Sequence, residues 1–256
     1  MMDRLLVKRQ QPASPPSPQQ PPPIGSDWAL FLDLDGTLLD LAPTPTSVEV
    51  PPGLIDVLRR LSARLGGALA IVTGRPLEDI DRLLAPLRLP VAGNHGASAR
   101  LPDGTTRALA EFAPLPPEWL PHAEEACATW PGVIVEPKPY SIALHYRQAP
   151  EREFDILALA RELVGGHPDY EILKAHYAYE VRPQQATKGL AIERLMELAP
   201  FRGRIPVFVG DDETDESARA AARQLGGIGL DVAPSFGGSA GRVRQWLASA
   251  VAGDGA

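Results

Sequence analysis

The chain has 256 residues, with 32 Asp and Glu against 25 Lys and Arg, and a net charge of −7. Such an acidic balance gives nucleic acid or an anionic membrane surface no basic face, so neither is an expected partner. With 44% apolar and 22% charged residues, the composition is that of a globular protein long enough for a large core and a smaller companion domain.

The single cysteine, Cys127, excludes a disulfide framework and points to a reducing, cytoplasmic setting. It has no basic activator nearby and reads as a packing residue. No apolar run is long enough to span a bilayer, and the basic residues near Met1 precede no apolar stretch of a secretory signal.

Residues 10–23 are nearly all Pro, Gln and Ser. They cannot bury enough apolar surface to offset their ordering entropy, which predicts a flexible tail over residues 1–25. Order is expected from Trp28. The apolar run 28–33 ends in carboxylates and Gly36, the pattern of a buried parallel strand entering a loop. Leu54, Ile55, Val57, Leu58, Leu61 and Leu65 recur at helical spacing, and Gly66-Gly67 stops that helix. A second buried strand is predicted over 68–72, closed by Thr73-Gly74-Arg75, with Pro76 opening another helix. A third short strand leads to Gly93-Asn94-His95-Gly96. This alternation predicts an α/β fold with a doubly wound, Rossmann-like parallel sheet.

The pattern changes after Gly104. Helices are predicted over 117–130 and 151–163, and short strands over 133–136, 141–146, 171–173 and 177–181. The repeated helix–strand–strand unit predicts a small sheet covered by helices on one face, an inserted α+β cap over residues 104–182. The parallel pattern then returns: a helix over 188–198, a buried strand over 205–209, a helix over 213–225, an edge strand over 228–232 and a last helix over 239–251. The core is thus expected over 26–103 and 183–256.

Ligands bind open parallel sheets at the carboxyl ends of the strands. Four polar clusters qualify: Asp33-Leu34-Asp35-Gly36-Thr37, Thr73-Gly74-Arg75, the region of Lys188, and the acidic run 210–215. Acidic loops after two separate buried strands, with a hydroxyl and a lysine elsewhere, match the needs of phosphate-ester hydrolysis. The ester repels anions, so its charge must be neutralised; Mg²⁺ takes hard oxygen ligands, which carboxylates from two strand ends can supply. A carboxylate can attack phosphorus and split hydrolysis into two steps through a covalent intermediate. A second carboxyl must protonate the leaving alkoxide and later activate water. A hydroxyl holds phosphoryl oxygens and a lysine adds a point charge. Asp33, Asp35, Thr73, Lys188 and Asp211 are residue types suited to those tasks.

The same residues carry a family resemblance. Asp33-Leu34-Asp35-Gly36-Thr37-Leu38 resembles the first motif of the haloacid dehalogenase superfamily of phosphatases. Thr73, Lys188 and Gly210-Asp211-Asp212 resemble the second, third and fourth, in matching order and spacing. Within that superfamily the chain resembles the trehalose-6-phosphate phosphatase family. The carriers are Gly93-Asn94-His95-Gly96, the stretch from Glu136 to Arg147, Glu180-Val181-Arg182-Pro183 and the run from Gly210 to Glu216. The resemblance implies Asp33 as nucleophile, Asp35 as acid and base, and Mg²⁺ bound by Asp33, the Asp35 carbonyl and Asp211, with Asp212 the alternative ligand. It implies substrate contacts from Gly74, Arg75, His95, Gly96, Glu136, Lys138, Ser141 and Glu180, with Lys138 and Glu180 holding the sugar. Flanking prolines stiffen the Lys138 loop.

Simpler readings stand beside these. Asp33 and Asp35 also suit a turn after a strand, and Thr73 a helix cap. Arg75 also suits a surface ion pair. Asp212 and Asp215 either support metal ligands from behind or charge a helix start. His122, His167 and His176 read as surface residues, His145 as structural or functional, and Trp119 and Trp130 as packing in the cap. The expected activity is hydrolysis of trehalose 6-phosphate by a monomer whose partner is a small sugar phosphate. The alternatives are another sugar phosphate, such as sucrose 6-phosphate, and a catalytically silent sugar-phosphate-binding domain. Asp33, Asp35 and Lys188, all present, disfavour the silent form.

Overall fold

The computed structural model describes residues 21–42, 47–175 and 177–252. Most of the expected tail, and His176, lie outside the described residues. Trp28–Leu32 (β1) is apolar and buried at every position, as a strand with neighbours on both edges and layers on both faces must be. It pairs in parallel with Leu69–Val72 (β2) on one edge and with Ile205–Gly210 (β10) on the other. Val91–Gly93 (β3) continues the parallel sheet beyond β2, and Ile228–Asp231 (β11) continues it beyond β10. Two antiparallel strands, Ser98–Arg100 (β4) and Thr106–Ala108 (β5), complete the order β11-β10-β1-β2-β3-β4-β5.

Leu54–Arg64 (α1), Leu77–Leu83 (α2), Lys188–Met196 (α5), Glu216–Gln224 (α6), Val232–Phe236 (α7) and Ala240–Val251 (α8) accompany this sheet. Helix α1 packs against α8, and α5 against α6. Their apolar stripes meet strand residues such as Phe31, which stacks on Phe201 at 5.3 Å between ring centroids. Fully burying one such ring contributes about 1.5–3 kcal/mol.

The second sheet lies in the chain between β5 and α5. Ile134–Pro137 (β6), Ile142–His145 (β7), Tyr170–Ala175 (β8) and Ala178–Pro183 (β9) form an antiparallel sheet of order β6-β7-β9-β8. Strand periodicity divides it into two faces. Ile142, Leu144, Tyr179 and Val181 pack on Trp119–Cys127 (α3) and Glu153–Val164 (α4), forming a second core that includes Cys127. The opposite face carries Glu136, Ser141, Glu180 and Arg182. Ser141, Glu180 and Arg182 are nonetheless buried, because that face turns toward the large sheet.

Four expectations change. Packing begins before Trp28: Ile24 is buried and the Pro22 carbonyl accepts from Trp246 Nε1 at 2.9 Å, so residues 21–25 do not form a free tail. The insertion starts later than residue 104, since β5 still pairs with the large sheet. The run 213–225 divides into a 3-10 turn over Glu213–Asp215 and α6. Finally, His167 is not a solvated surface residue but packs edge-on against Trp119 at 5.1 Å.

Candidate active site

The three central strands β1, β2 and β10 end at one level. Leu32 is in register with both Ile71 and Val209, so Asp33 leaves the sheet between β2 and β10 one residue before Thr73 and Asp211 do. Asp33 keeps its backbone N–H on the Val209 carbonyl at 2.9 Å and is only 4% exposed. Lys188 reaches it from the first position of α5, a helix capped by Thr187, whose Oγ1 accepts from Leu190 N. Lys188 Nζ lies 2.8 Å from Asp33 Oδ1 and 2.6 Å from Asp215 Oδ1. All three groups are buried. Removing one partner of such a buried pair typically costs about 3–5 kcal/mol.

Electrostatics at this point are strained by charge density. Burial drives the Asp33 carboxyl well above the ordinary carboxylate range, and the Lys188 ammonium offsets this only in part. Burial opposes the charge on Lys188, but Asp33 and Asp215 outweigh it and hold the ammonium above its usual range. Burial, with Asp212 and Asp215 nearby, pushes Asp211 up to about 6.

Among the described residues, Asp33, Asp211 and Asp215 form one group whose carboxylate oxygens lie within 4.8 Å of one another. Hard oxygens converging in a negative field suit Mg²⁺, so these residues fit the expected metal. Thr37 Oγ1 donates to Asp211 Oδ1 at 3.2 Å and orients it. Asp212 does not join the group. Its Oδ1 accepts from Thr214 Oγ1 at 2.7 Å and from Asp215 N at 3.1 Å, while Asp215 Oδ2 accepts from Asp212 N, a reciprocal cap on the turn. Asp215 thus serves both as that cap and as the second anion on Lys188.

Asp35 points across the site to Arg75, which donates to both its oxygens, at 2.5 and 2.8 Å. Arg75 also grips Asp79 at 3.6 Å and is 9% exposed, so it is not a surface residue. Thr73 is buried, and its Oγ1 accepts from Arg75 N at 3.3 Å. Gly74 has a steric reason: a Cβ there would lie 2.4 Å from His95 Cε1. Gly96 has φ +97°, and a Cβ would lie 2.2 Å from the Thr187 carbonyl oxygen. The loop carrying His95 therefore seats directly on the start of the helix that bears Lys188.

His95 joins the two sheets. Its Nε2 lies 3.8 Å from Glu180 Oε2 on β9. Burial lowers the imidazole pKa to about 3, so it is neutral near pH 7. Glu180 accepts from Lys138 Nζ at 3.0 Å and from Ser141 Oγ at 2.5 Å. Burial opposes its ionisation, but Lys138, His95 and the Ser141 hydroxyl bring its pKa down to about 2. Lys138, Ser141, Glu180 and His95 thus form one polar cluster. Glu136 belongs to the same face but turns to His145, whose Nε2 lies 2.7 Å from its Oε2. His122 pairs with Glu162 at the surface.

Thr37 stood in the first motif without a role of its own, and Arg219 was passed over. The first had a legible signal, a hydroxyl two positions after Asp35 in an acidic loop. The second had none, since an arginine within 216–224 looks like an ordinary exposed helix position. None of the described helices is long and apolar enough to cross a membrane.

The family model described as trehalose-phosphatase matches residues 31–244. A probable trehalose-phosphate phosphatase of Sinorhizobium fredii is 44% identical over 212 residues, 81% of this chain and 78% of that protein. The trehalose-6-phosphate phosphatase of Escherichia coli is 37% identical over 211 residues, 82% and 79% of the two chains. Among solved structures, the C-terminal domain of C. albicans trehalose-6-phosphate phosphatase has the same fold, with TM-score 0.70 at 18% identity, covering 87% of this chain and 91% of that one. A subclass IIB sugar phosphatase of the HAD (haloacid dehalogenase) superfamily aligns with TM-score 0.51 at 16% identity, covering 74% and 83%.

Proposed function

The chain belongs to the trehalose-phosphatase family, and from that premise we propose that it hydrolyses trehalose 6-phosphate to trehalose and phosphate, with Mg²⁺, through a phosphoryl group carried on Asp33. It is an enzyme, a phosphatase with the haloacid dehalogenase fold. The observation that carries the finer reading is the buried Asp33, gripped by Lys188 within reach of Asp211 and Asp215.

Asp33 attacks phosphorus in line. Asp35, two residues on, gives a proton to the departing sugar oxygen and later takes one from the water that hydrolyses the Asp33 acyl phosphate. Thr73 and Lys188 hold the phosphoryl oxygens. Asp33 and Asp211, with the Asp35 carbonyl, would hold Mg²⁺, and the cation supplies charge neutralisation for the phosphoryl group. Asp215 balances Lys188 from behind.

The sugar is read by the second sheet. The oriented Lys138–Glu180–Ser141 cluster offers donors and an acceptor to neighbouring hydroxyls, and a sugar lacking them would leave buried charges unpaired at a cost. The test is phosphate release from a panel of sugar phosphates, including trehalose 6-phosphate and sucrose 6-phosphate, with Mg²⁺ and with EDTA. Clear preference for trehalose 6-phosphate and loss of release in EDTA are expected. Preference for another sugar phosphate would move the substrate, and full release in EDTA would remove the metal.

A further inference from the structure

Arg219 lies on α6 at 5% exposure, and none of the chemistry above uses it. Its Nη1 donates to the Gly210 carbonyl at 3.2 Å and its Nη2 to the Asp212 carbonyl at 3.1 Å. Those two carbonyls bracket Asp211. Its Nε donates to Glu216 Oε2 at 2.9 Å, and Asp231 Oδ2 lies 3.8 Å from Nη1. Two carboxylates therefore balance the guanidinium while its fork spans the loop. The helix is seated for this: a Cβ on Gly229 of β11 would lie 2.8 Å from the Arg219 Cα, so only glycine lets α6 rest on the strand at that residue. A planar guanidinium reaches two acceptors at fixed separation, which a compact ammonium does not.

We propose that Arg219 is a positioning residue for the metal loop: by tying down the backbone on both sides of Asp211, it sets where the Asp211 carboxylate meets Mg²⁺. The inference rests on the reading of Asp211 as a Mg²⁺ ligand. Its sign separates it from plain electrostatics. A nearby positive charge by itself weakens cation binding, so removing Arg219 would then tighten it. Positioning acts in the opposite direction, because losing a group that orients a metal ligand typically lowers affinity.

The experiment is calorimetric titration of Mg²⁺ into the metal-free full chain, for the parent, Arg219→Met and Arg219→Lys, with melting temperatures recorded in EDTA and in Mg²⁺. Both variants should bind Mg²⁺ about 10–100-fold more weakly than the parent. Arg219→Lys keeps the charge but not the fork, so it should not restore affinity. Mg²⁺ should also raise the melting temperature of the variants less than that of the parent. Variants that melt cooperatively in EDTA yet bind Mg²⁺ as tightly as the parent, or more tightly, would overturn the proposal and leave Arg219 a purely structural residue. If Arg219→Met does not fold, Arg219→Lys decides by the same criterion. A parent that binds no Mg²⁺ overturns the metal reading and this inference together, whereas parent binding with unchanged variants overturns this inference alone.

Discussion

Arg75 donates to both carboxylate oxygens of Asp35, from Nε to Oδ2 at 2.5 Å and from Nη2 to Oδ1 at 2.8 Å. The two residues leave different strands, β1 and β2, and meet across the mouth of the site. This two-point pair fixes the direction of the proposed acid and base, and it puts a guanidinium beside the proposed phosphate site.

Replacing the fork tests that coupling. A hydrogen bond to a charged group is worth about 1.5–3 kcal/mol, so Arg75→Lys should slow phosphate release from a sugar phosphate by roughly 10–100-fold. Asp35→Asn should slow it by about 10²–10⁴-fold. Both losses should shrink on an aryl phosphate, whose leaving group needs less protonation. Equal loss of Arg75→Lys on the two substrates would place Arg75 on the phosphate rather than on Asp35.

Asp33 and Lys188 should separate chemistry from stability. Asp33→Asn keeps an oxygen for Lys188 and should abolish turnover with a small change in melting temperature. Lys188→Ala leaves Asp33 and Asp215 buried without their cation, and should destabilise by about 3–5 kcal/mol as well as abolish turnover. Denaturant unfolding of both variants, beside phosphate release, checks this. Near-parent turnover in Asp33→Asn would remove it as nucleophile.

The reading cluster should act on the sugar alone. Lys138→Ala and Glu180→Ala should each lower kcat/KM for trehalose 6-phosphate sharply, because the first takes the cation from buried Glu180 and the second takes the anion from Lys138. Hydrolysis of p-nitrophenyl phosphate, which presents no sugar, should change far less. Equal effects on both substrates would mean that the cluster does not read the sugar.

Ile24 is a structural residue rather than part of a tail. Its burial against the core is worth about 1.5–3 kcal/mol, so Ile24→Ala should lower the urea midpoint measurably. Truncation before residue 25 should cost more, since it also removes the Pro22 carbonyl from Trp246. An unchanged midpoint in both would show that this segment contributes nothing to folding.

His95 and Glu180 should each take stability from the folded state in acid. His95 titrates at about 3 when folded against 6.5 ordinarily, so between those values the unfolded chain binds a proton that the folded chain refuses, and stability falls as pH drops. Glu180 titrates at about 2 against 4.5, which has the same sign over a lower window. The raised Asp33 and Asp211 carboxyls act with the opposite sign over part of this range, so the His95 contribution is read as the difference in melting temperature between parent and His95→Gln. That difference should change between pH 6.5 and about 3, with the parent losing more than the variant as pH falls. A profile unaltered by that substitution would mean that His95 is not held neutral by the fold.

Much of the carboxylate end of the candidate site was legible in the chain. A strand that is apolar at every position and then turns acidic announces both its burial and its open end, so Asp33, Asp35, Thr73 and Asp211 could be placed from patterns spanning a few residues. Lys188 was placed only by motif order, since a lysine at a helix start looks solvated until the fold brings it to Asp33, 155 residues away. Other assignments needed the packed structure. Asp212 and Asp215 are near neighbours of one residue type, and only the turn geometry makes the first a cap and the second a buried anion. The strands β4 and β5 are short, and their pairing depends on an edge of β3 that local sequence does not encode. The coming together of His95 and Glu180, and the grip of Arg219 on the Asp211 loop, were likewise decided by tertiary structure. Periodicity and capping act within a turn or two of chain, whereas the partner of a buried charge is whichever group the packing of distant elements leaves within hydrogen-bonding reach.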